Sequence, residues 1–482
     1  MQSFPEIRQF IQGEWRRGSG KSVETVLNPA TARPLTEFAH AGLGDIDDAL
    51  DAAGESARRW RNTAPEERYR ILRRAADLLR SRVEAAAPLL SLEQGKPLAE
   101  SRAEIAASAD ILDWYAEEGR RAYGRIVPGA PGTRLMVTAE PVGPVAAFTP
   151  WNFPATTVTR KVGGALAAGC TIIVKASEET PATAVAVFEC LAEAGLPLGV
   201  ANLVFGVPAQ ISERMLKSPV LRKVSLTGSI GVGRTLGHLA VDHDLVTTME
   251  LGGNAPVIVF DDVDVEAVAT ACASAKFRNA GQVCNAPSRF YVHERVADRF
   301  IECAAAFAAA LRVGPGVQPS TQMGALANRR RLDAMIEFAD DARSRGATVL
   351  CAGNRPEGDG YFFAPTVIAE VPDNAKVMTD EVFGPIMPIT RFLDVDDVIR
   401  RANDTTYGLG SFVFTASLER ATLVSDALEA GLVGVNTTVL SRPETPFGGI
   451  KASGHGYESG VEGVEAYLRR KAILQHPPIH SA

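Results

Sequence analysis

The chain has 482 residues, of which 46% are hydrophobic and 22% charged, and its net charge is −7. This length allows about three domain-sized units, and the mild negative charge gives no electrostatic reason to expect nucleic acid or an anionic membrane as a partner. No apolar run reaches the ~18 residues of a membrane span, and the N-terminal segment lacks the pattern of a signal peptide. The length thus allows a large core and an interdomain cleft, and we expect a cytoplasmic protein with neither a nucleic-acid nor a membrane partner.

The sulfur- and nitrogen-bearing side chains do not group as metal ligands do. The six cysteines lie far apart without a CxxC pair, at positions 170, 190, 272, 284, 303 and 351. This spacing favours reduced thiols over a disulfide framework or a zinc site. The seven histidines show no HExxH-like spacing, so we expect no metal in the mechanism.

The first third of the chain predicts a short hairpin followed by helices. Residues 10–15 alternate around a glycine, and Asn28-Pro29 indicates a turn. Apolar residues recur at helical spacing from 45 to about 91 and from 100 to 123, which predicts three amphipathic helices. Residues 135–140 alternate like an exposed strand, and an open strand edge invites pairing with another chain. We therefore expect an oligomer contact at this strand.

From residue 145 onward, short apolar runs alternate with helical patterns. Strands are predicted at 145–148, 171–174, 201–204, 223–226 and 255–259, with helical stretches such as 183–193 between them. This alternation is typical of a parallel sheet covered on both faces. A second series follows, with helices at 265–277, 295–311, 331–345 and 395–402 and strands at 289–292, 348–351 and 386–392. The pattern predicts two α/β units that meet near residues 250–261.

The segment 275–290, AKFRNAGQVCNAPSRF, sets one thiol, Cys284, among polar residues. A substrate can reach a thiol in so polar a loop, whereas a structural cysteine usually lies in an apolar run. Cys284 is therefore a candidate nucleophile. The segment alone fits a loop cysteine without a chemical role equally well.

Three segments follow predicted strands, where ligands of α/β sheets bind. TPWNFP (149–154) holds Asn152 between two prolines, as a rigid amide donor to a developing oxyanion would be held. KASE (175–178) offers an ammonium and a carboxylate to ribose hydroxyls, and TGSIGVG (227–233) is a glycine-rich turn suited to a pyrophosphate at a helix N-terminus. Each segment, taken alone, also fits a structural turn or a solvated charge pair.

Two acids beside turns are further candidates. Glu250 precedes two glycines in ELGG, where a movable carboxylate can serve as a general base for water. Glu381 begins EVFGP, a similar acid beside a turn. Each of them also fits a loop or capping acid.

Seven segments stand in the order and spacing of the NAD(P)-dependent aldehyde dehydrogenase superfamily, and the resemblance covers essentially the whole chain. They are TPWNFP, KASE, TGSIGVG, ELGG, FRNAGQVC (277–284), EVFGP (381–385) and PFGGIKASG (446–454). The resemblance implies an aldehyde dehydrogenase-like α/β fold with two doubly wound domains and a β arm. Residues 1–123 and 142–252 would form the Rossmann-like cofactor-binding domain, 253–452 the catalytic domain, and 124–141 with 465–482 the oligomerisation arm of a homodimer or homotetramer.

The same resemblance implies the roles of individual residues. Cys284 would be the nucleophile, Glu250 the general base, and Asn152 an oxyanion donor. The implied cofactor contacts are Thr149, Pro150, Trp151, Lys175, Ser177, Glu178, Thr227, Gly228, Ser229, Val232, Leu251, Glu381 and Phe383. Hydride would pass from a thiol adduct to NAD, and water would then hydrolyse the thioester. Glu250 favours hydrolysis over transfer of the acyl group to coenzyme A.

Two arginines indicate the substrate class. Arg160 and Arg278 match positions that resemble the carboxylate-binding arginines of succinate-semialdehyde and 2-oxoglutarate-semialdehyde dehydrogenases, and such a pair can clamp a carboxylate. Ser441 and Arg442 lie in the loop that closes over the acid tail in those enzymes. If the arginines instead pair with interior acids, a neutral aromatic or aliphatic aldehyde is the alternative substrate.

Other features refine or limit this prediction. A catalytically idle protein on the same fold is a remote alternative, because Cys284, Glu250 and Asn152 are all present. Glu178 would repel a 2′-phosphate, which favours NAD over NADP while leaving NADP possible. Ala286 replaces the second cysteine of many succinate-semialdehyde enzymes, so we expect no vicinal disulfide switch. The segment GHGYES (454–459) departs from the family pattern GLGREG.

Overall fold

The computed structural model describes residues 4–352 and 356–478, with the backbone alone at 351–352. The first three residues of the N-terminal segment, the side chain of Cys351 and residues 479–482 of the expected arm lie outside this description. Within the described ranges, no helix combines the length and the apolar character needed to cross a membrane.

The described part of the chain folds into twenty strands and fifteen α-helices. The strands are β1 (Gln9–Ile11), β2 (Glu14–Arg16), β3 (Val23–Asn28), β4 (Arg33–Ala39), β5 (Arg125–Val127), β6 (Arg134–Pro141), β7 (Val145–Phe148), β8 (Ile172–Lys175), β9 (Ala201–Val204), β10 (Lys223–Thr227), β11 (Val246–Glu250), β12 (Ala255–Val259), β13 (Pro287–His293), β14 (Thr348–Ala352), β15 (Thr366–Ala369), β16 (Ile386–Phe392), β17 (Gly410–Phe414), β18 (Leu432–Val435), β19 (Gly454–His455) and β20 (Leu468–Gln475). The helices are α1 (Leu43–Arg61), α2 (Pro65–Ser81), α3 (Val83–Gln94), α4 (Leu98–Glu118), α5 (Pro154–Ala168), α6 (Pro181–Glu193), α7 (Pro208–Leu216), α8 (Ile230–Asp242), α9 (Val265–Phe277), α10 (Glu294–Ala310), α11 (Arg329–Ser344), α12 (Lys376–Thr379), α13 (Val395–Asn403), α14 (Leu418–Ala427) and α15 (Glu462–Glu465).

The first sheet is built from short apolar strands that are buried on both faces. Its strand order is β19-β11-β10-β7-β8-β9-β1-β2, and its five central neighbours, β11 to β9, run parallel. Helices α1, α7 and α8 cover one face, while α2 to α6 cover the other. The expected doubly wound, Rossmann-like sheet is confirmed. The carboxyl ends of β7, β8, β10 and β11 share one edge, where parallel sheets bind ligands.

The second sheet has the order β14-β15-β16-β13-β12-β17-β18 and is parallel except at β14–β15. Its own core of aliphatic and aromatic side chains packs beneath α9, α10 and α11. The predicted strands at 255–259 and 386–392 match β12 and β16. Strands β15, β17 and β18, of four or five residues each, were not predicted.

Two predictions near the N-terminus and the arm were wrong in detail. Four helices, α1 to α4, form where three were expected, since Pro65 begins one helix and Gly95, at φ +98°, ends another. Strand β6 is not an open edge, because it lies between β5 and β20 in a three-stranded sheet. The edges of this arm sheet are therefore β5 and β20, and the partner of β6 comes from the far end of the same chain.

Candidate active site

A cavity of about 530 Å³ lies where the ligand-binding edge of the first sheet faces the second sheet. Most of the residues singled out in the sequence line it: Pro150, Trp151, Asn152, Arg160, Thr227, Gly228, Ser229, Glu250, Leu251, Arg278, Cys284, Glu381, Phe383 and Ser441. The remaining ones lie outside its wall: Thr149, Lys175, Ser177, Glu178, Val232 and Arg442. The structure thus brings the thiol, the amide and the two acids of the sequence prediction into one site.

Asn152 lies in the loop between β7 and α5 and is held from both ends. Its side-chain Nδ2 donates to the carbonyl of Gln282 at 3.1 Å. Its own backbone carbonyl accepts from Lys96 Nζ at 2.7 Å and from Asn279 Nδ2 at 3.0 Å. An amide carries two N–H hydrogens, so the fixed side chain keeps one donor for a ligand in the cavity.

Cys284 follows a distorted turn in which Asn279 and Ala280 have φ of 49° and 51°. Its side chain is partly exposed to the cavity. Burial raises the pKa of the Cys284 thiol to about 12, the Glu381 and Glu250 carboxylates add to this rise, and the Arg160 guanidinium opposes it. A thiol with so high a pKa stays protonated near neutral pH, so its activation needs a base or a positive charge.

Glu250 is the last residue of β11 and is only 2% exposed. Neither of its carboxylate oxygens has a hydrogen-bond partner among the described residues. Burial raises the pKa of Glu250 well above its usual value, and Glu458 adds to this shift while Lys161 and Arg160 oppose it. Lys161 and Glu458 form a buried ion pair at 2.6 Å. Glu250 is thus a carboxyl with a raised proton affinity and open acceptor positions.

The two glycines after Glu250 are explained by close contacts. A Cβ on Gly252 would lie 2.4 Å from Glu381 Oε2, and one on Gly253 would lie 2.6 Å from the Cys284 carbonyl oxygen. Glu381 accepts from the Gly253 N–H at 3.1 Å. Burial raises the pKa of Glu381 to about 7, although the Gly253 N–H, Arg331 and Lys276 oppose the rise. The ELGG segment therefore carries Glu250 and packs against two loops, the one that contains Cys284 and the EVFGP loop that contains Glu381.

The edge of the first sheet next to the cavity carries the residues expected to hold a nucleotide. Lys175 and Glu178 pair at 2.6 Å, and the Gly206 N–H donates to Glu178 at 3.0 Å. The Ser229 hydroxyl caps α8 by accepting from the Val232 N–H. Thr227 Oγ1 is buried beside the cavity and has no partner within the described residues. An orphaned hydroxyl at a helix N-terminus fits a phosphate-bearing ligand.

Two arginines line the part of the cavity that also contains Phe153, Phe447 and Ser441, which we call its far end. Arg160, which is 7% exposed, donates to the Ser441 hydroxyl at 2.5 Å and lies 4.3 Å from the Phe447 ring centre. The Arg278 guanidinium lies 5.3 Å from the ring centre of Phe153. Both guanidiniums line the same space as Cys284. A ligand bound to the sulfur at one end can therefore carry an anion at the other.

Three charged residues of this end were missed in the sequence. Lys96 precedes α4, and Glu100 and Glu104 follow at four-residue intervals, which places them on one helix face. Lys96 pairs with Glu104 at 2.5 Å, and Glu104 also accepts from the Ala155 N–H at the start of α5. Glu100 and Glu104 line the cavity. Their i,i+4 spacing was the available signal, but it is equally typical of an exposed helix face.

Two departures noted in the sequence do not enter the cavity. Arg442 is exposed and lies outside the wall, so its expected contact with the substrate finds no support in this geometry. His455 lies on β19, with its Nε2 at 2.6 Å from the Thr247 hydroxyl. Within the described ranges, no three His, Cys, Asp or Glu side chains cluster as metal ligands do.

A doubly wound sheet whose ligand-binding edge opens onto a thiol fits a nucleotide-dependent oxidoreductase. The family model described as the aldehyde dehydrogenase family matches residues 15–473, and the chain belongs to that family. Its members use NAD(P)⁺ and oxidise aldehydes, so the expected enzyme class is confirmed.

Similar proteins share nearly the full length. The chain is 47% identical over 470 residues to the 4-(hydroxymethyl)benzenesulfonate dehydrogenase of Comamonas testosteroni, covering 97% of each chain. It is 42% identical over 463 residues to the succinate-semialdehyde dehydrogenase [NADP(+)] of Escherichia coli, covering 96% of each. A crystal structure of succinate-semialdehyde dehydrogenase from Burkholderia pseudomallei superposes with a TM-score of 0.96, at 39% identity and 99% coverage of both chains.

Proposed function

We propose that this enzyme oxidises an aldehyde with a carboxylate at its far end, a succinate semialdehyde-like substrate, to the corresponding acid with NAD. The observation that carries the proposal is the presence of Arg160 and Arg278 in the cavity that also contains Cys284. Guanidiniums bind carboxylates in bidentate fashion. A relative named as a succinate-semialdehyde dehydrogenase at 42% identity supports the same substrate class.

The residues present fit a nicotinamide dinucleotide. Thr227 Oγ1 and the N-terminus of α8 can hold its phosphates, while Glu381 and the Lys175–Glu178 pair can hold its ribose hydroxyls. When bound, the nicotinamide accepts a hydride from the aldehyde carbon. Trp151 and Phe383 line the cavity, and their rings meet edge to face at 5.6 Å between centres.

The protein's own groups carry the covalent steps. The Cys284 thiol releases its proton to solvent water, and Sγ attacks the carbonyl carbon as a thiolate, which the charge of Arg160 favours. The fixed Asn152 amide and the Cys284 backbone N–H donate to the oxygen that becomes negative. The acyl group then remains on sulfur as a thioester. Glu250 takes a proton from water, and the resulting hydroxide displaces the sulfur and releases the acid.

We propose NAD as the preferred cofactor. Glu178 already binds Lys175 and the Gly206 N–H, so its carboxylate is held in place. A 2′-phosphate there would meet a fixed negative charge, whereas a 2′-hydroxyl can donate to it. The NADP(+) in the printed name of the Escherichia coli relative makes a direct comparison of both cofactors necessary.

A second candidate substrate is an aromatic aldehyde that bears an anion. Phe153 and Phe447 line the far end of the cavity beside the two arginines. Aromatic walls favour a flat ring between the sulfur and the anion site. The relative named for 4-(hydroxymethyl)benzenesulfonate, at 47% identity, supports this candidate.

We also propose a homodimer or homotetramer built through the arm sheet. The two edges of that sheet, β5 and β20, are exposed, and Ile126 and Leu474 are 75% and 66% exposed. Open strand edges with apolar residues are suited to pairing with another copy. Light scattering at several concentrations tests the assembly.

The substrate proposal is tested by comparing Arg278→Ala with the wild type. We expect KM for succinate semialdehyde to rise roughly 10- to 100-fold, because one charge-assisted hydrogen bond is lost. KM for butanal, which has no carboxylate, should change by less than about twofold. Arg102→Ala, an exposed arginine on α4 outside the cavity, is the matched control. Equal changes in KM for the two aldehydes would exclude the binding of the substrate carboxylate by Arg278. The same assays with NAD and NADP test the cofactor preference.

A further inference from the structure

Glu100 places a carboxylate in the wall of the cavity that is proposed to bind a substrate anion. Its Oε2 accepts from the Asn279 N–H at 2.8 Å, so the side chain is held beside the residue that follows Arg278. Lys96 and Arg278 both face the Phe153 ring, at 4.0 and 5.3 Å from its centre. Glu100 therefore belongs to the group of charges that surrounds the anion.

The charges of this group largely offset one another. Lys96 is paired with Glu104 at 2.5 Å and contributes no net charge. Arg160 contacts Ser441, a neutral partner, and keeps its full charge. Burial raises the pKa of the Glu100 carboxyl and Glu104 adds to this rise, whereas Lys96, Arg278 and the Asn279 N–H oppose it. In its ionised form, which the basic pH of the test favours, Glu100 offsets one of the two arginines, and about one net positive charge of this group is left for a ligand.

We infer that Glu100 is a specificity-determining residue that restricts the anion end to groups with a single negative charge, such as carboxylates and sulfonates, and rejects dianions such as phosphates. This inference rests on the proposed function, because it concerns the anion that the arginines bind. A dianion brings a second charge close to Glu100, in a partly dehydrated space where repulsion is weakly screened. A monoanion is neutralised by the remaining positive charge.

The test uses two aldehydes of the same shape, 4-formylphenyl sulfate and 4-formylphenyl phosphate. At about pH 8 the first carries one negative charge and the second close to two, because the second pKa of a phosphate ester is about 6. The neutral reference is 4-methoxybenzaldehyde, and the wild type is also assayed with succinate semialdehyde. The measurement is kcat/KM for each with NAD, or the competitive inhibition constant against the best substrate where a probe is not oxidised.

We expect the wild type to prefer the sulfate over the phosphate by at least about tenfold, a difference of about 1.4 kcal/mol. Glu100→Gln keeps an acceptor for the Asn279 N–H and removes the charge, so this preference should fall to within about threefold. Glu100→Asp should restore it. Glu117→Gln, which removes a charge from the far end of α4, roughly 25 Å away along the helix and outside the cavity, should leave it unchanged.

The outcomes separate this inference from the proposal on which it rests. Equal values for the two probes in the wild type, or an unchanged preference in Glu100→Gln, would overturn the role of Glu100 while leaving the clamp intact. The wild type could instead prefer the neutral aldehyde to succinate semialdehyde and to both aryl anions, or bind none of these anions. Either result would overturn both the binding of the substrate anion by the two arginines and this inference.

Discussion

The two ends of the cavity are built in opposite ways. At the reaction end, Glu250 has no hydrogen-bond partner for either oxygen within the described residues, and the Cys284 thiol keeps a pKa far above neutrality. At the far end, charged groups are held by neutral partners: Arg160 donates to the Ser441 hydroxyl, and Glu100 accepts from the Asn279 N–H. The reaction end thus has bonding capacity left for a ligand, whereas the far end is prepared before the ligand arrives.

This difference indicates that the two ends control different properties. Buried polar groups without hydrogen-bond partners make the folded protein less stable. Proteins retain such groups where they act on a reacting atom. Charged groups that are already hydrogen-bonded to the protein are restrained, so they select a ligand by its charge and shape. Changes at the reaction end should therefore reduce turnover of every aldehyde alike. Changes at the far end should separate anionic from neutral aldehydes.

The largest effect is expected at the sulfur. Cys284→Ser should lower kcat for succinate semialdehyde and for butanal alike by about 10³-fold or more, because a hydroxyl is a far weaker nucleophile than a thiolate. Cys303→Ala, a partly exposed cysteine on α10 outside the cavity, should retain normal turnover. Steady-state NADH formation measures both. Retained activity in the serine variant would remove the nucleophile from the proposal.

Residues of the reaction end could be predicted because each one lies in a distinctive local motif, Cys284 in the loop between α9 and β13 and the others at the end of a strand. Asn152 follows β7 in TPWNFP, and Glu250 ends β11 in ELGG. The far end could be predicted only in part. Lys96, Glu100 and Glu104 have the spacing of any charged helix face, and only the packing of α4 against α5 turns that face toward the cavity.

The same distinction applies to the fold. Short, continuous apolar runs predicted the parallel strands, because a strand that is buried on both faces carries apolar residues at successive positions. The partner of β6 could not be predicted, because β20 lies at the other end of the chain and its exposed residues show no sign of pairing. Local pattern predicts an element, whereas the contacts between distant elements depend on the whole fold.

The second largest effect is expected for Glu250→Gln. Loss of the general base should lower steady-state kcat about 10²- to 10³-fold for anionic and neutral aldehydes alike. The thioester should still form, so rapid mixing should show a burst of NADH close to one per site, and mass spectrometry should detect the acylated protein. Glu213→Gln, an exposed acid on α7, is the control. Loss of the burst would instead assign Glu250 to activation of the thiol.

Turnover should also rise with pH. Both relevant pKa values are raised, that of the Cys284 thiol to about 12 and that of Glu250 above its usual value. A raised pKa keeps the group protonated, so the thiolate and the carboxylate are both gained as pH increases. Below its pKa a group gains its deprotonated form about tenfold per pH unit, so we expect kcat to increase by at least about tenfold between about pH 6 and pH 9. Rates that are flat or that fall over this range would contradict the assignment of both groups.

The smallest effect on kcat is expected for Lys96 and Glu104, which connect the two ends of the cavity. Lys96 donates to the Asn152 carbonyl and pairs with Glu104, so it connects the far-end wall to the oxyanion loop. Removing Lys96 alone would leave Glu104 buried without a countercharge, at a cost of about 3–5 kcal/mol. The double variant Lys96→Met with Glu104→Gln avoids this cost, because a glutamine can still accept from the Ala155 N–H.

In this double variant, a looser Asn152 should lower kcat about three- to tenfold for all aldehydes. The preference for the sulfate over the phosphate should not change, because the pair carries no net charge. The exposed pair Glu213 and Lys217, replaced in the same way, serves as the control. If the double variant changed the preference and left kcat unaltered, Lys96 would belong to the charges that select the anion. The two ends of the cavity would then be less separate than their hydrogen bonding indicates.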